Sequence, residues 1–299
     1  MEHVRTVSRE FETGEKAVLH LESRSGSVIV EGRESDRVVV DAVLRVSSDL
    51  STDADDAAAL VERNMEQDQH RVIVRAPTLQ PSEGWGIFFG HKSARIDYHV
   101  RVPRRTAVRV LSKSGTVEIM HTQGVLYCEG SSGKIGINDI EGEVSVVSRS
   151  GGLQIEGIKG SLNVESRSGK LRVRGVEGPV TVESRSGTCE IIDITGEVRL
   201  TARSGSLAME NIDGRLQARS HAGAVRYRGV VSDDMEIEAH AGSITFAVDP
   251  ASLFFIDASS DVGSVRSDLP PRGKGAAPPE GGPKVRLRTR AGSIRLTRA

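Results

Sequence analysis

Seven glycines, Gly115, Gly133, Gly151, Gly169, Gly187, Gly205 and Gly223, succeed one another at intervals of eighteen residues. The spacing then continues through Gly242, Gly263 and Gly292 with gaps of 19, 21 and 29. A core assembled from unlike elements has no reason to keep such a period. A stack of equivalent coils does, because each coil presents the same residue at the same place to its neighbour. A small-basic-small triplet precedes many of these glycines, as in Ser112-Lys113-Ser114, Ser148-Arg149-Ser150, Ser166-Arg167-Ser168, Ser184-Arg185-Ser186 and Ala202-Arg203-Ser204. An early copy, Ser23-Arg24-Ser25-Gly26, stands alone.

Counted from the motif glycine, apolar residues fall at the second and fourth places, as in Leu153/Ile155, Leu171/Val173, Cys189/Ile191 and Leu207/Met209. One aliphatic stands at the seventh place (Ile158, Val176, Ile194, Ile212) and a glycine at the ninth (Gly160, Gly178, Gly196, Gly214). A second alternating pair follows at the eleventh and thirteenth: Leu162/Val164, Val180/Val182, Val198/Leu200. Alternation of this kind is the mark of half-buried strands. Each half-coil holds too few strand residues to bury its apolar face alone, so coils about 4.8 Å apart must share one core. The fold class expected is all-β, a parallel β-solenoid with 18-residue coils. Two sheets per coil are favoured because the halves match, with a three-sided coil as the alternative.

Residues 1–106 break the period. They read as a β-rich capping region with strands at 38–46, 71–75 and 95–102. A short helix is expected over 53–65, with Ala57, Leu60, Val61 and Met65 on one face. Residues 107–299 read as the solenoid, interrupted by a Pro/Gly-rich loop at 268–284. Four segments carry a family likeness: Ser25–Gly32 (SGSVIVEG), Val100-Arg101-Val102-Pro103, Val108-Arg109-Val110 and the recurring Ser-Gly-x-Val-x-Ile units. Together they resemble the bacterial β-strand-repeat family of "putative adhesins", a domain of unknown function. The resemblance implies a right-handed or flattened β-solenoid and cell-surface or envelope work, and it brings no catalytic residues.

Charge argues against one class of partner, phosphate backbones held by bulk charge, and leaves local patches open. With 40 basic and 41 acidic residues the chain is close to neutral, unlike proteins that hold phosphate backbones by bulk charge. Two cysteines, Cys128 and Cys189, form no disulfide framework or zinc spacing and are expected as buried, unpaired core residues. Neither a signal peptide nor a membrane span is written in the chain, which reads as cytoplasmic; an envelope protein trimmed of its export signal would read the same. No nucleophile elbow, metalloprotease helix or phosphate loop occurs. The expectation is a non-enzyme without cofactor or metal.

Three sets of residues could carry interactions. The basic place of the motif forms a column, Lys113, Arg149, Arg167, Arg185, Arg203, His221 and His240, with Ser131 between the first two. It is either a solvated edge offset by Glu165 and Glu183 or a polyanion-binding edge. His221 and His240, in consecutive coils, stand as arginine replacements in that column rather than as a metal pair. Trp85, Ile87, Phe88 and Phe89 make an apolar patch that either folds over the first coil or docks a partner. Ile294 and Leu296, in the last coil by sequence, read as an open edge through which two copies pair into a dimer. The function favoured is a non-catalytic structural or interaction scaffold acting through solenoid ends or surface, its protein partner unspecified. Binding of a polyanion (acidic polysaccharide, nucleic acid or anionic lipid) is the alternative.

Overall fold

A computed structural model describes residues 2–47, 52–77, 93–249, 252–269 and 281–299. The chain divides into two units, Met1–Glu143 and Val144–Ala299.

The first unit contains β1 (Glu2–Glu12), β2 (Lys16–Ser23), β3 (Val28–Arg33), β4 (Arg37–Ser47) and α1 (Thr52–Arg63). Next come β5 (Met65–Asp68), β6 (Arg71–Val74), β7 (Ser93–Pro103), β8 (Arg105–Ser112) and β9 (Thr116–Gln123). It ends with β10 (Leu126–Gly130) and β11 (Lys134–Glu141). Three coils stack in parallel: β2 pairs with β8 and β8 with β10, while β3 pairs with β9 and β9 with β11. The solitary Ser23–Gly26 motif is therefore the corner of a full coil. A β-carbon on Gly115 would stand 1.8 Å from the Gly26 carbonyl oxygen, the same stacking contact made by later copies.

The other edge of this first coil is occupied. β6 lies parallel to β2, and β7 parallel to β3. From β7 the sheet turns antiparallel through β4 to β1. Helix α1 begins with Asp53 and Asp55, suited to the positive helix N-terminus, and buries Ala54, Ala57 and Val61. Met65, at the start of β5, is buried too. The sequence reading leaves out β1 and β2. In β1 the outward row includes the apolar Val4 and the inward row includes His3, Arg5 and Arg9 with only part of each buried, so the alternation carries little hydrophobic contrast.

Asp97 on β7 fastens the first corner. Its carboxylate accepts from the Ser27 amide (2.7 Å), the Ser27 hydroxyl (2.8 Å) and Arg95 (3.1 Å), and it also pairs with Arg45. Burial alone would raise its pKa; the two Ser27 bonds and Arg95 outweigh that and hold it below the ordinary carboxylate value. A depressed pKa contributes stability that is present above the unfolded value and is lost as pH falls through the folded one.

The second unit begins with β12 (Val144–Ser148), β13 (Gly151–Lys159), β14 (Leu162–Glu177), β15 (Val180–Thr195) and β16 (Val198–Ser204). It continues with β17 (Ser206–Asp213), β18 (Leu216–Ala222), β19 (Val225–Gly229), β20 (Met235–Ala241) and β21 (Ile244–Val248). The last four strands are β22 (Phe255–Val262), β23 (Val265–Ser267), β24 (Lys284–Ala291) and β25 (Ile294–Arg298). Register is set coil by coil. Leu153 faces Leu171, Leu171 faces Cys189, Cys189 faces Leu207 and Leu207 faces Val225, and each of these residues is buried. Each such aliphatic contributes about 2 kcal/mol by leaving water.

The seventh-place aliphatic has a cause that the alternation does not supply. Strict alternation from places two and four would turn six inward and seven outward. Instead the sixth place is left-handed: Asp193 at φ 56° and Asn211 at φ 53°. Asp and Asn tolerate this conformation better than branched residues do. The kink resets the phase, so Ile194 and Ile212 are buried. Asn211 Nδ2 also donates to Asp193 Oδ1 at 2.9 Å, joining the two kinks.

The order of the last coils differs from their order in the chain. β24 and β25 pair with β20 and β21, and β22 and β23 pair onto the far side of β24 and β25. The glycines confirm the stacking: a β-carbon on Gly292 would meet the Gly242 oxygen at 2.0 Å, and one on Gly263 would meet the Gly292 oxygen at 1.9 Å. The chain's final coil is thus an inner one. Ile294 and Leu296 are buried, with Val265 and Ser267 as their partners, so the open edge expected there is corrected to β22 and β23.

Three outcomes test this fold. Ile155→Asp or Val173→Asp, at fully buried places, should unfold the second unit, at a cost of several kcal/mol, whereas Gln154→Asp at an exposed place should leave thermal melting nearly unchanged. Gly187→Ala places a β-carbon 1.9 Å from the Gly169 oxygen and should lower stability by about 3 kcal/mol or more. Gly136→Ala, whose β-carbon meets nothing closer than 3.7 Å, should be tolerated. For Asp97→Asn, chemical denaturation should show a loss of about 1–3 kcal/mol near neutral pH. The difference from wild type should close as pH falls through the carboxylate range.

Candidate functional site

The small-basic-small triplet divides its work between core, surface and neighbouring coil. Its first residue points inward: Ser148, Ser166, Ser184, Ala202 and Ser220 are buried. Its third residue ties coil to coil, with Ser168 Oγ donating to Arg149 O at 3.2 Å, Ser186 Oγ to Arg167 O at 3.1 Å and Ser204 Oγ to Arg185 O at 3.1 Å. The basic residue between them is left outside. Because Ser166 faces Ser184 and Ser168 faces Ser186, Arg167 and Arg185 stand in line one coil apart. The second unit aligns Arg149, Arg167, Arg185, Arg203, His221 and His240 in this way, all exposed.

The inverted order of the last coils extends the file beyond what the sequence reading contained. Thr289 and Ala291 pair with Ala239 and Ala241, which places Arg290 after His240, and the pairing of Ser260 and Val262 with the same residues places Asp261 last. In the first unit Lys113 stacks on Arg24: its amide donates to Ser23 O at 3.0 Å, and Ser114 Oγ donates to Arg24 O at 2.9 Å. Ser132 Oγ in turn donates to Lys113 O at 3.1 Å, which places Ser131 next in line. Arg24 and Arg290 carry the motif's basic place, and their own Ser-Gly and Ala-Gly neighbours are the signal that would have found them.

Carboxylates do not neutralise the middle of the file. Among the described residues none lies within ion-pairing distance of Arg167, Arg185, Arg203 or Arg290. Glu165 and Glu183, expected to offset them, remain exposed without such a pair. Where acids and bases do meet, it is on the strand faces. Glu190 lies 3.1 Å from Lys170 and 2.8 Å from Arg172, and Lys170 above all holds its carboxyl below the ordinary value. The rings of His221 and His240 are 5.6 Å apart and tilted by 48°. Among the described residues no group of three or more His, Cys, Asp or Glu side chains is placed to hold a metal ion.

A second surface is the face of the outer coil. Of the large hydrophobic side chains exposed among the described residues, Leu253, Phe255, Ile256, Val262 and Val265 belong to this one segment, with Val262 71% exposed. Beside it runs an open groove of about 500 Å³, lined by Asp234, Met235, Glu236, Phe255, Lys284 and Arg286 among others. The outer edges of β22 and β23 pair with no other described strand. The apolar patch at Trp85, Ile87, Phe88 and Phe89 lies outside the described residues, as do residues 270–280 of the expected loop.

Cys128 and Cys189 are both buried and free, and burial pushes the Cys128 thiol up to about 12, leaving it without thiolate reactivity near neutral pH. No helix among the described residues is long and apolar enough to cross a membrane.

No curated protein matches the chain in sequence. Among solved structures it is similar to a "putative cell adhesion protein" from Clostridium sporogenes, at 11% identity and a TM-score of 0.24, with 100% of this chain and 99% of that one covered. It is also similar to a "putative adhesin" from Bacteroides fragilis, at 10% identity and a TM-score of 0.29, covering 98% and 97%. Residues 61–210 match the family model described as Toastrack DUF4097. That match takes in half of the sequence, and the chain belongs to the Toastrack DUF4097 family.

Proposed function

We propose that the protein is a non-catalytic scaffold that docks through its outermost coil, β22 and β23, and that the occupant of this surface is a second copy of the chain. The observation that carries the reading is the concentration of exposed Leu253, Phe255, Ile256, Val262 and Val265 beside an unpaired strand edge. An exposed edge offers a row of free amides and carbonyls to another strand, and apolar side chains beside it make the pairing favourable. In the first unit the corresponding edge of the first coil is already filled by β6 and β7. Two copies joined edge to edge by a two-fold axis close after a single pairing, which favours a dimer over an open filament.

Sedimentation velocity tests this. Wild type should sediment as a dimer at tens of micromolar. Ile256→Lys combined with Val265→Lys should be monomeric with melting shifted little, since both side chains are already more than 40% exposed and surface substitutions cost within about 0.5 kcal/mol. A monomeric wild type, or a variant that remains dimeric, would overturn the reading.

A further inference from the structure

The cationic file along the second unit is not used by the outer-coil surface. Arg149, Arg167, Arg185, Arg203, His221, His240 and Arg290 stand one per coil, so the row runs about 29 Å at 4.8 Å per step. Neighbouring guanidinium groups at that spacing repel by about 1 kcal/mol even in water, and Arg167, Arg185 and Arg203 have no ion-pair partner among the described residues. Small residues flank each of them. Ser168, Ser186 and Ser204 spend their hydroxyls on the preceding coil, so the guanidinium is the group that protrudes at the corner.

Carboxylates flank the middle of the row. On one side of the row stand Glu165 and Glu183, two residues before Arg167 and Arg185, and on the other stands Glu190, engaged with Lys170 and Arg172. A planar anionic surface laid against the middle of this corner would meet the unpaired Glu165 and Glu183 together with the arginines. A single linear chain would not. Single-stranded nucleic acid is held by aromatic platforms interleaved with the charges, and along this row the only rings are His221 and His240 at one end. Duplex DNA winds its phosphates around the helix axis, rising about 3.4 Å per strand, so they do not stay in line with a straight row. A chain of uronic acid sugars instead presents one carboxylate per pyranose ring, a repeat close to the coil rise, and each carboxylate suits a guanidinium's two parallel donors.

We propose that the Arg149–Arg290 row is a binding site for a linear polyuronate, whose carboxylates pair with the guanidinium groups along the row. The site is independent of the outer-coil surface. Row and outer coil meet only where Asp261 follows Arg290, and the sign of the charge reverses there.

The test is calorimetric titration of the full chain with oligogalacturonate across a salt series. The logarithm of the affinity should fall linearly with the logarithm of the salt concentration. The triple variant Arg167→Gln, Arg185→Gln, Arg203→Gln should bind about tenfold or more weakly with a flatter salt slope. The charge-matched triple Arg215→Gln, Arg226→Gln, Arg228→Gln, on exposed places off the row, should bind like wild type. The monomer-forming Ile256→Lys, Val265→Lys variant should bind like wild type as well, so that a failure of the dimer is distinguishable from a failure of the site. Equal losses in the two triples, no binding at low salt, or tighter binding of single-stranded oligothymidylate or of phosphatidylglycerol vesicles would each overturn the proposal.

Discussion

A β-carbon on Gly187 would sit 1.9 Å from the carbonyl oxygen of Gly169, and the same near-collision recurs at Gly169, Gly205, Gly223, Gly242, Gly292 and Gly263. At every corner the backbone of one coil lies directly against the backbone of the next, with φ between 111° and 150° for these glycines. No residue with a side chain meets both demands. A second glycine file does the same at the ninth place, where Gly178, Gly196 and Gly214 would each meet the preceding oxygen at 2.2–2.5 Å. Two contact points per coil fix the register, and everything else follows from that. Leucines, valines and isoleucines stack on one another, serine hydroxyls reach the carbonyl of the coil before, and any charged residue that occupies a motif place is repeated as a row.

A stack with fixed register must finish somewhere, and the two units finish differently. In the first, β6 and β7 occupy the outer edge and lead into the antiparallel sheet of β4 and β1. In the second, the outer coil tapers. Leu287, Thr289 and Leu296 of the coil beneath are matched by Ala258, Ser260 and Ser267. The inward face of the last coil therefore carries little apolar weight, and Ser260 Oγ donates to Gly292 O at 2.8 Å in place of packing. Its remaining apolar residues, Ile256 and Val265 at the ladder and Val262 at the corner, stay exposed. The taper reduces the tendency to recruit further coils without end.

The solenoid, its period and the inward places were legible in the sequence because backbone contact forces glycine and burial forces aliphatics, and both recur at fixed intervals. The basic row was legible for the same reason, since Arg149 through His240 keep the motif's place. Other features were not. The left-handed sixth place is filled by His121, Asp139, Asp193 and Asn211 or by glycine, a mixture without one residue type to mark it. Spatial order was hidden more deeply. Equivalent coils carry equivalent marks, so the spacing of Gly242, Gly263 and Gly292 gives the phase of each coil and says nothing of which coil lies against which. That is why Ile294 and Leu296 read as an open edge although β23 covers them. The faint signal was compositional: Ala258, Ser260 and Ser267 are weak choices for an inner coil and suitable ones for an outer coil.

Stacking order is also where the fold and both proposed surfaces meet, since it decides which coil is outermost and places Arg290 in the basic row. Methyl-to-methyl nuclear Overhauser effects measure it directly. Ile244 and Ile294 should show contacts with each other, and so should Ile294 and Val265, because each pair lies on adjacent parallel strands. Ile244 and Val265, two coils apart at about 9.6 Å, should show none. A contact between Ile244 and Val265 would contradict the inverted order and return Ile294 to the open end.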